Sequence, residues 1–249
     1  IFTALFILWG LVPQSVLPKG NLDSVTQIIQ GFILEKFGWF YLLAASAFLI
    51  FSILLIFSKY GNIRLGKDAD RPEYNYLTWF AMLFSAGMGI GLVFWGVAEP
   101  MYHYYAPPFS EGQTPDAARA AMRYSFFHWG LHPWAIYTVI ALALAYFQFR
   151  KGAPGVISSI LRPILGDRVD GPLGVFINFI AVFATVFGVA TSLGLGAIQI
   201  TGGLSATFGG IENNTQTQMT IIAIVTILFM LSAQTGLNKG IKYLSNINI

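Results

Sequence analysis

Residues Thr78–Pro100 read TWFAMLFSAGMGIGLVFWGVAEP, an apolar run with Gly87, Gly89 and Gly91 at its centre. A membrane-spanning helix needs about 20 mostly apolar residues, so the run is long enough to cross a bilayer. Each glycine weakens a helix by roughly 1 kcal/mol relative to alanine. Three of them within five residues mark a place where the helix can come undone. In lipid, loosened backbone survives only where it is buried in protein or lines a polar cavity. A glycine-broken span therefore points to a solute and ion site inside a membrane carrier. Gly87 and Gly91 also form a small-xxx-small pair suited to close helix packing. The residues alone leave both readings open.

Composition sets the class. The chain is 55% hydrophobic, 16% aromatic and only 10% charged, with a mean hydropathy of +0.65. Soluble domains carry about 25% charged residues, so the expected fold is all-α, a polytopic helical membrane bundle. The net charge of +3 is small and sits in loops, where it reports topology and gives no sign of nucleic-acid binding. The absence of Cys excludes disulfides, thiolate metal sites and cysteine nucleophiles. The chain opens on Ile1 inside an apolar run with no charged leader, and Lys239–Ile249 looks unfinished. Both ends are expected to be cuts in a longer protein.

Working outward from the broken span, we expect one membrane domain over residues 1–249 with six spans. They cover about residues 1–12 (truncated), 39–57, 76–98, 121–149, 173–200 and 217–236. Pro133 predicts a kink in the fourth. Lys and Arg number ten in alternate connections (Ser58–Asn75, Arg150–Pro172 and the tail from Leu237) against four in the others. The positive-inside rule then places 58–75, 150–172 and the C-terminal tail in the cytoplasm. The same parity favours a single tilted or partly broken span over two short ones in the apolar stretch Leu173–Phe208.

The fourth span holds a second signal, Phe126–Tyr137, FFHWGLHPWAIY. Trp129 lies roughly 12 Å inside a span starting near Ala121, deeper than the headgroup level where Trp and Tyr usually collect. With Tyr137 it forms either core packing or a cation–π receptor. A quaternary ammonium has no N–H to donate, so aromatic faces are its natural neutral partners, worth about 2 kcal/mol when desolvated. Apart from Arg123 in the first turn of the fourth, no Asp, Glu, Lys or Arg falls within any complete span, which suits a zwitterion better than a bare ion. Glu99 at the outer end of the broken span reads as a gate, an ion contact or a solvated helix-end carboxylate. His128 and His132, one turn apart, could ligate a metal or relay protons; with no carboxylate near them in sequence, structural hydrogen bonding is the plainer reading. Thr185, Thr191 and Ser192 read as hydroxyls bonded back to their own helix, or as ion ligands. No phosphate loop and no nucleophile–base set is present, so no enzyme is expected.

Gly87–Pro100 (GMGIGLVFWGVAEP), His128–Tyr137 (HWGLHPWAIY), Phe187–Ile200 (FGVATSLGLGAIQI) and Lys239–Ile249 (KGIKYLSNINI) resemble the betaine/choline/carnitine transporter (BCCT) family, in order along essentially the whole chain. The resemblance implies a LeuT-like inverted-repeat architecture, of which this chain would hold the leading helices and most of the first repeat. It implies substrate contacts at Ala86, Gly87, Gly89, Gly91, Trp129 and Tyr137. It also implies sodium contacts at Ser85, Met88 and Thr185, although Val189 stands where sodium-coupled relatives carry a second threonine. Gly91 stands where proton-coupled choline carriers tend to be acidic.

The expected function is import of a quaternary-ammonium compatible solute, glycine betaine first, across the plasma membrane by sodium-coupled alternating access. No cofactor is expected beyond sodium as coupling ion; the partners are the solute and the lipid bilayer, and the resemblance implies a homotrimer. The alternatives are a choline or carnitine carrier or exchanger, and more distantly a channel or a ligand sensor.

Overall fold

A computed structural model describes residues 2–236 and 240–247. Among the described residues the regular structure is helical, with no strand. By their contacts the described residues group into two compact units. The first holds the described residues up to Leu65 together with Leu131–Phe179; the second holds Gly66–Gly130 and the described residues from Ile180.

In the first unit, α1 (Phe2–Gly10) is too short to cross a bilayer. The Trp9 indole N–H donates to Gly20 O at 2.7 Å, closing the connection to α2 (Leu22–Phe57). This second helix starts well before Trp39, where the span was expected to begin. Asn21 caps it by accepting from Ser24 N at 3.1 Å, and Asp23 sits in the first turn against the positive helix end. Beyond the cap, Gln27, Gln30, Glu35 and Lys36 are good helix formers with no proline among them. Polarity had marked the stretch as a loop, but a polar sequence can still be helical.

The main packing partner of α2 is α6 (Leu131–Ala145), which ends in a π turn at Tyr146–Arg150. Short helices α7 (Ile157–Ile160) and α8 (Arg162–Leu165) and a 3₁₀ turn (Gly166–Asp170) follow. Arg162 pairs with Asp170, and with Asp167 at 3.4 Å. The start of α9 (Pro172–Phe208) is stapled to this loop, because Asn178 Oδ1 accepts from Ser158 N and Asn178 Nδ2 donates to Ser158 Oγ, both at 3.0 Å. Ser158 is buried, so these bonds satisfy groups that water does not reach.

In the second unit, α3 (Tyr76–Gly87) is capped by Asn75, which accepts from Thr78 N at 2.8 Å. After a break at Met88–Gly89 the chain continues as α4 (Ile90–Tyr105), bent by 47° from α3. The main partner of α4 is α5 (Pro115–Trp129), which starts on a Thr114 cap with proline in its first turn. Most of α9 and all of α10 (Thr215–Thr235) also belong here. Finally α11 (Lys242–Ile247) packs on α3. Lys239, Asn248 and Ile249 of the KGIKYLSNINI motif lie outside the described residues.

Among the described residues the stretches 22–57, 115–150, 172–208 and 215–235 are long and apolar enough to cross a membrane, and the bent pair α3–α4 makes a fifth. With many large apolar side chains facing outward along them, this is an all-α polytopic membrane fold. The stretch 173–208 is one unbroken helix. Near Pro133 the interruption falls at Gly130 instead. Proline lacks the N–H that would bond the carbonyl four residues back, and its ring crowds that carbonyl, which belongs to Trp129. Glycine is demanded here, since a Cβ on Gly130 would stand 2.3 Å from Phe126 O.

Replacing Asn178 by Leu leaves the buried Ser158 N–H without its acceptor, a loss of about 1–3 kcal/mol. We expect a lower melting temperature for the detergent-purified full-length protein, measured by size-exclusion after heating; an unchanged value would mean the staple adds nothing.

Candidate substrate and ion site

The break in the third span is local and sharp. Met88 N still reaches Phe84 O at 2.8 Å, but Met88 then leaves the helix at φ −87°, ψ 49°, and Gly89 is extended at φ −73°, ψ 171°. Neither residue sits in the left-handed region, so glycine is not required here by the sign of φ. Crowding does not require it either. A Cβ on Gly89 or on Gly91 meets nothing within 4 Å among the described residues. Close packing within this unit therefore does not account for them. What remains is the cost of helix: glycine makes an interrupted backbone cheaper relative to a continuous one by about 1 kcal/mol per residue. The new helix α4 starts on Gly89 without a side-chain cap, and a helix N-terminus is the end that favours negative charge.

Ten residues further along, α4 carries Glu99, which gathers a cluster of polar contacts. Glu99 is 6% exposed and lies inside the helix, which runs on through Pro100 to Tyr105. The expectation of a solvated carboxylate at the helix end is corrected on both counts. Its Oε2 accepts from the Trp129 indole N–H at 2.6 Å. His128 Nδ1 lies 2.8 Å from Oε2 and 2.9 Å from Oε1, bonding in the tautomer that carries hydrogen there. His103, one turn along α4, brings Nε2 to 3.7 Å. Three ring nitrogens from two helices thus surround one buried carboxylate. Burying an unpaired charge is expensive, and this arrangement offsets that expense with charge-assisted hydrogen bonds.

The His103 ring lies tilted against Tyr124 at 5.2 Å and the His128 ring lies 4.8 Å from that of Trp129. The carboxylate sought near His128 was thus present, 29 residues away in sequence. A Glu-Pro pair within an apolar stretch was the signal for it. Glu99 is the functional candidate that the sequence reading left out of its binding set.

The remaining expected residues divide between the units. Ser85 and Gly87 lie half-buried in the last turn of α3, with Ala86 between them exposed; Met88 is exposed at the break. Thr185, on the outer face of α9, donates to Ala181 O at 2.8 Å, and Thr191 to Phe187 O at 2.9 Å. That is the back-bonded arrangement of membrane hydroxyls, and it leaves each oxygen with lone pairs. Tyr137 belongs to the first unit, on α6, 69% exposed and stacked on Trp134 at 5.8 Å. Among the described residues no group of three or more His, Asp or Glu could hold a metal ion.

Sequence comparison adds the decisive observation. Residues 1–249 match the betaine/carnitine/choline family transporters from end to end. The chain belongs to this family. Its glycine-broken span and its Trp129 segment are therefore parts of a transporter scaffold, and the family is one of transporters, not enzymes. The chain is 60% identical over 248 residues to the glycine betaine transporter OpuD of Bacillus subtilis (strain 168), covering 99% of this chain and 47% of that one. It is 44% identical to an ectoine/hydroxyectoine transporter of Virgibacillus pantothenticus, covering 100% of this chain and 49% of the relative. An osmo-dependent choline transporter, BetT2 of Acinetobacter baylyi, is 44% identical, with 91% and 33% covered. The chain thus spans about half the length of the first two relatives, or less.

The open space around Gly89 yields a prediction about folding. Gly89→Ala is expected to accumulate in membranes at wild-type level, read by immunoblot of the full-length protein. A marked drop would mean that unseen packing requires glycine at the break.

Proposed function

We propose that the full-length protein imports glycine betaine into the cell by alternating access around the Met88–Gly89 break, driven by sodium. The observation that carries this reading is the coincidence, in one unit, of an uncapped break in a membrane span and a half-buried Trp129 held by a buried carboxylate. A trimethylammonium group makes no N–H hydrogen bond, and an indole face attracts it by about 2 kcal/mol when water is excluded. The substrate's own carboxylate suits the start of α4, where first-turn N–H groups and the helix dipole favour negative charge. Alternating access fits the usual use of broken helices, which form a fixed site near mid-membrane around which one repeat rocks against the other.

Sodium coupling rests on Ser85 and Met88 at the break and on Thr185, together with the glycine rather than acid at position 91. Loops 58–75 and 150–172 and the C-terminal tail face the cytoplasm in this reading, on the strength of their Lys and Arg. The family resemblance is also the support for a homotrimer. Choline is the second substrate to weigh, because one relative is named as a choline transporter.

Liposomes containing the full-length protein should show counterflow of labelled glycine betaine and uptake that needs an inward sodium gradient. Uptake unaffected by replacing sodium with potassium would remove the coupling ion from the proposal. No counterflow would remove the carrier, and preferential exchange of choline would change the substrate. Trp129→Leu is expected to raise the betaine KM about tenfold or more while insertion is retained, and Gly89→Ala to lower the uptake rate per molecule severalfold. Unchanged affinity in the first would assign Trp129 to packing alone.

A further inference from the structure

We infer that Glu99 is a positioning residue for substrate recognition: through the indole N–H it fixes the angle of the Trp129 ring and enriches the ring face that meets an onium group. The inference rests on the betaine reading and deepens it.

The need for such a residue follows from where Trp129 stands. It is the last residue of α5, and at Gly130 the backbone turns away from helical geometry (φ −82°, ψ −137°). The regular hydrogen-bond ladder of α5 therefore stops at the residue that carries the indole. A cation–π site depends on which way the ring faces, so a ring free to change rotamer binds weakly after paying to be ordered. Glu99 supplies the restraint from the neighbouring helix through a bond of 2.6 Å.

The restraint is itself restrained. Glu99 is buried, and His128 engages both of its oxygens. His103, on the same helix one turn on, stands 3.7 Å from Oε1. The carboxylate thus has little freedom to follow a moving indole, and the indole aligns to it. Its charge has a second effect. A carboxylate accepting from an indole N–H pushes electron density into the ring, which strengthens the attraction of the ring face for a cation.

A simple strut between α4 and α5 would have the same bonds, so the test must separate the two roles. In proteoliposomes of the full-length transporter, KM and Vmax for labelled glycine betaine are measured for wild type, Glu99→Gln, Trp129→Phe and the double variant. Gln keeps the volume of Glu99 and loses its charge; Phe keeps a ring at 129 and loses the N–H. Each single change is expected to raise KM about five- to tenfold with Vmax within twofold. The double variant is expected to be no worse than the more impaired single one, since Gln weakens the same hydrogen bond, by removing its charge, that Phe abolishes.

Multiplying KM effects would show that Glu99 acts independently of Trp129 and would overturn the inference. So would a Glu99→Gln transporter with normal KM and lowered thermal stability, the signature of a strut. Should Glu99→Gln fail to accumulate, Trp129→Phe decides alone against Trp129→Leu. A raised KM for both supports the N–H link, and a raised KM for Leu only overturns it while leaving the betaine site standing. Normal KM in both would overturn this inference and assign Trp129 to packing, while no uptake by the wild type would bring down the betaine reading with it.

Discussion

A carboxylate drawn out of water must be met by donors, and Glu99 is met by ring nitrogens of Trp129 and His128 on α5, with His103 of its own helix close by. The two helices thereby acquire a directional contact. Apolar packing in a membrane leaves rotation and register of a helix loosely set, because lipid competes on nearly equal terms with a neighbouring apolar helix. One buried ion with several donors sets both. The register of α4 against α5 follows from it, and with the register comes the placing of the aromatic residue that the proposed substrate would meet.

Interruptions in these helices show how proline and glycine divide the work. Pro100 sits within α4 and the helix continues past it, whereas Pro133 coincides with a helix end three residues earlier at Gly130. The difference lies in the partner residue. At Gly130 a side chain would strike the Phe126 carbonyl, so the chain can adopt its non-helical geometry only with glycine present. At Met88–Gly89 the glycines answer no steric demand from the described residues; they make continuity of the helix less favourable. One site requires glycine by geometry; at the other, among the described residues, glycine only lowers the preference for helix. A carrier that must change conformation has use for the second kind.

Much of the helical plan was legible beforehand. The glycine triplet announced the break, and hydropathy announced the spans on either side, because both signals are local. The start of α2 at Leu22 was missed because polar residues of good helix propensity look like a loop to a hydropathy scan, and only Asn21 as a cap argued otherwise. The burial of Glu99 was missed for a different reason. Its partners lie about thirty residues away on a helix whose facing side no periodicity in the chain reveals. Reading His128 as structurally hydrogen-bonded was nevertheless sound chemistry in want of its acceptor. Trp129 drew attention by its expected depth in the fourth span, a reading that needs only a span and a count of residues.

The staple between Asn178 and Ser158 anchors the foot of a rod. Helix α9 runs 37 residues without a break, which at 1.5 Å per residue makes it roughly 55 Å long. A stiff bar of that length magnifies small rotations: tipping it by about 10° about its foot sweeps the far tip through roughly 10 Å. For a helix of this length, a small change of tilt at its foot is a large displacement at its tip.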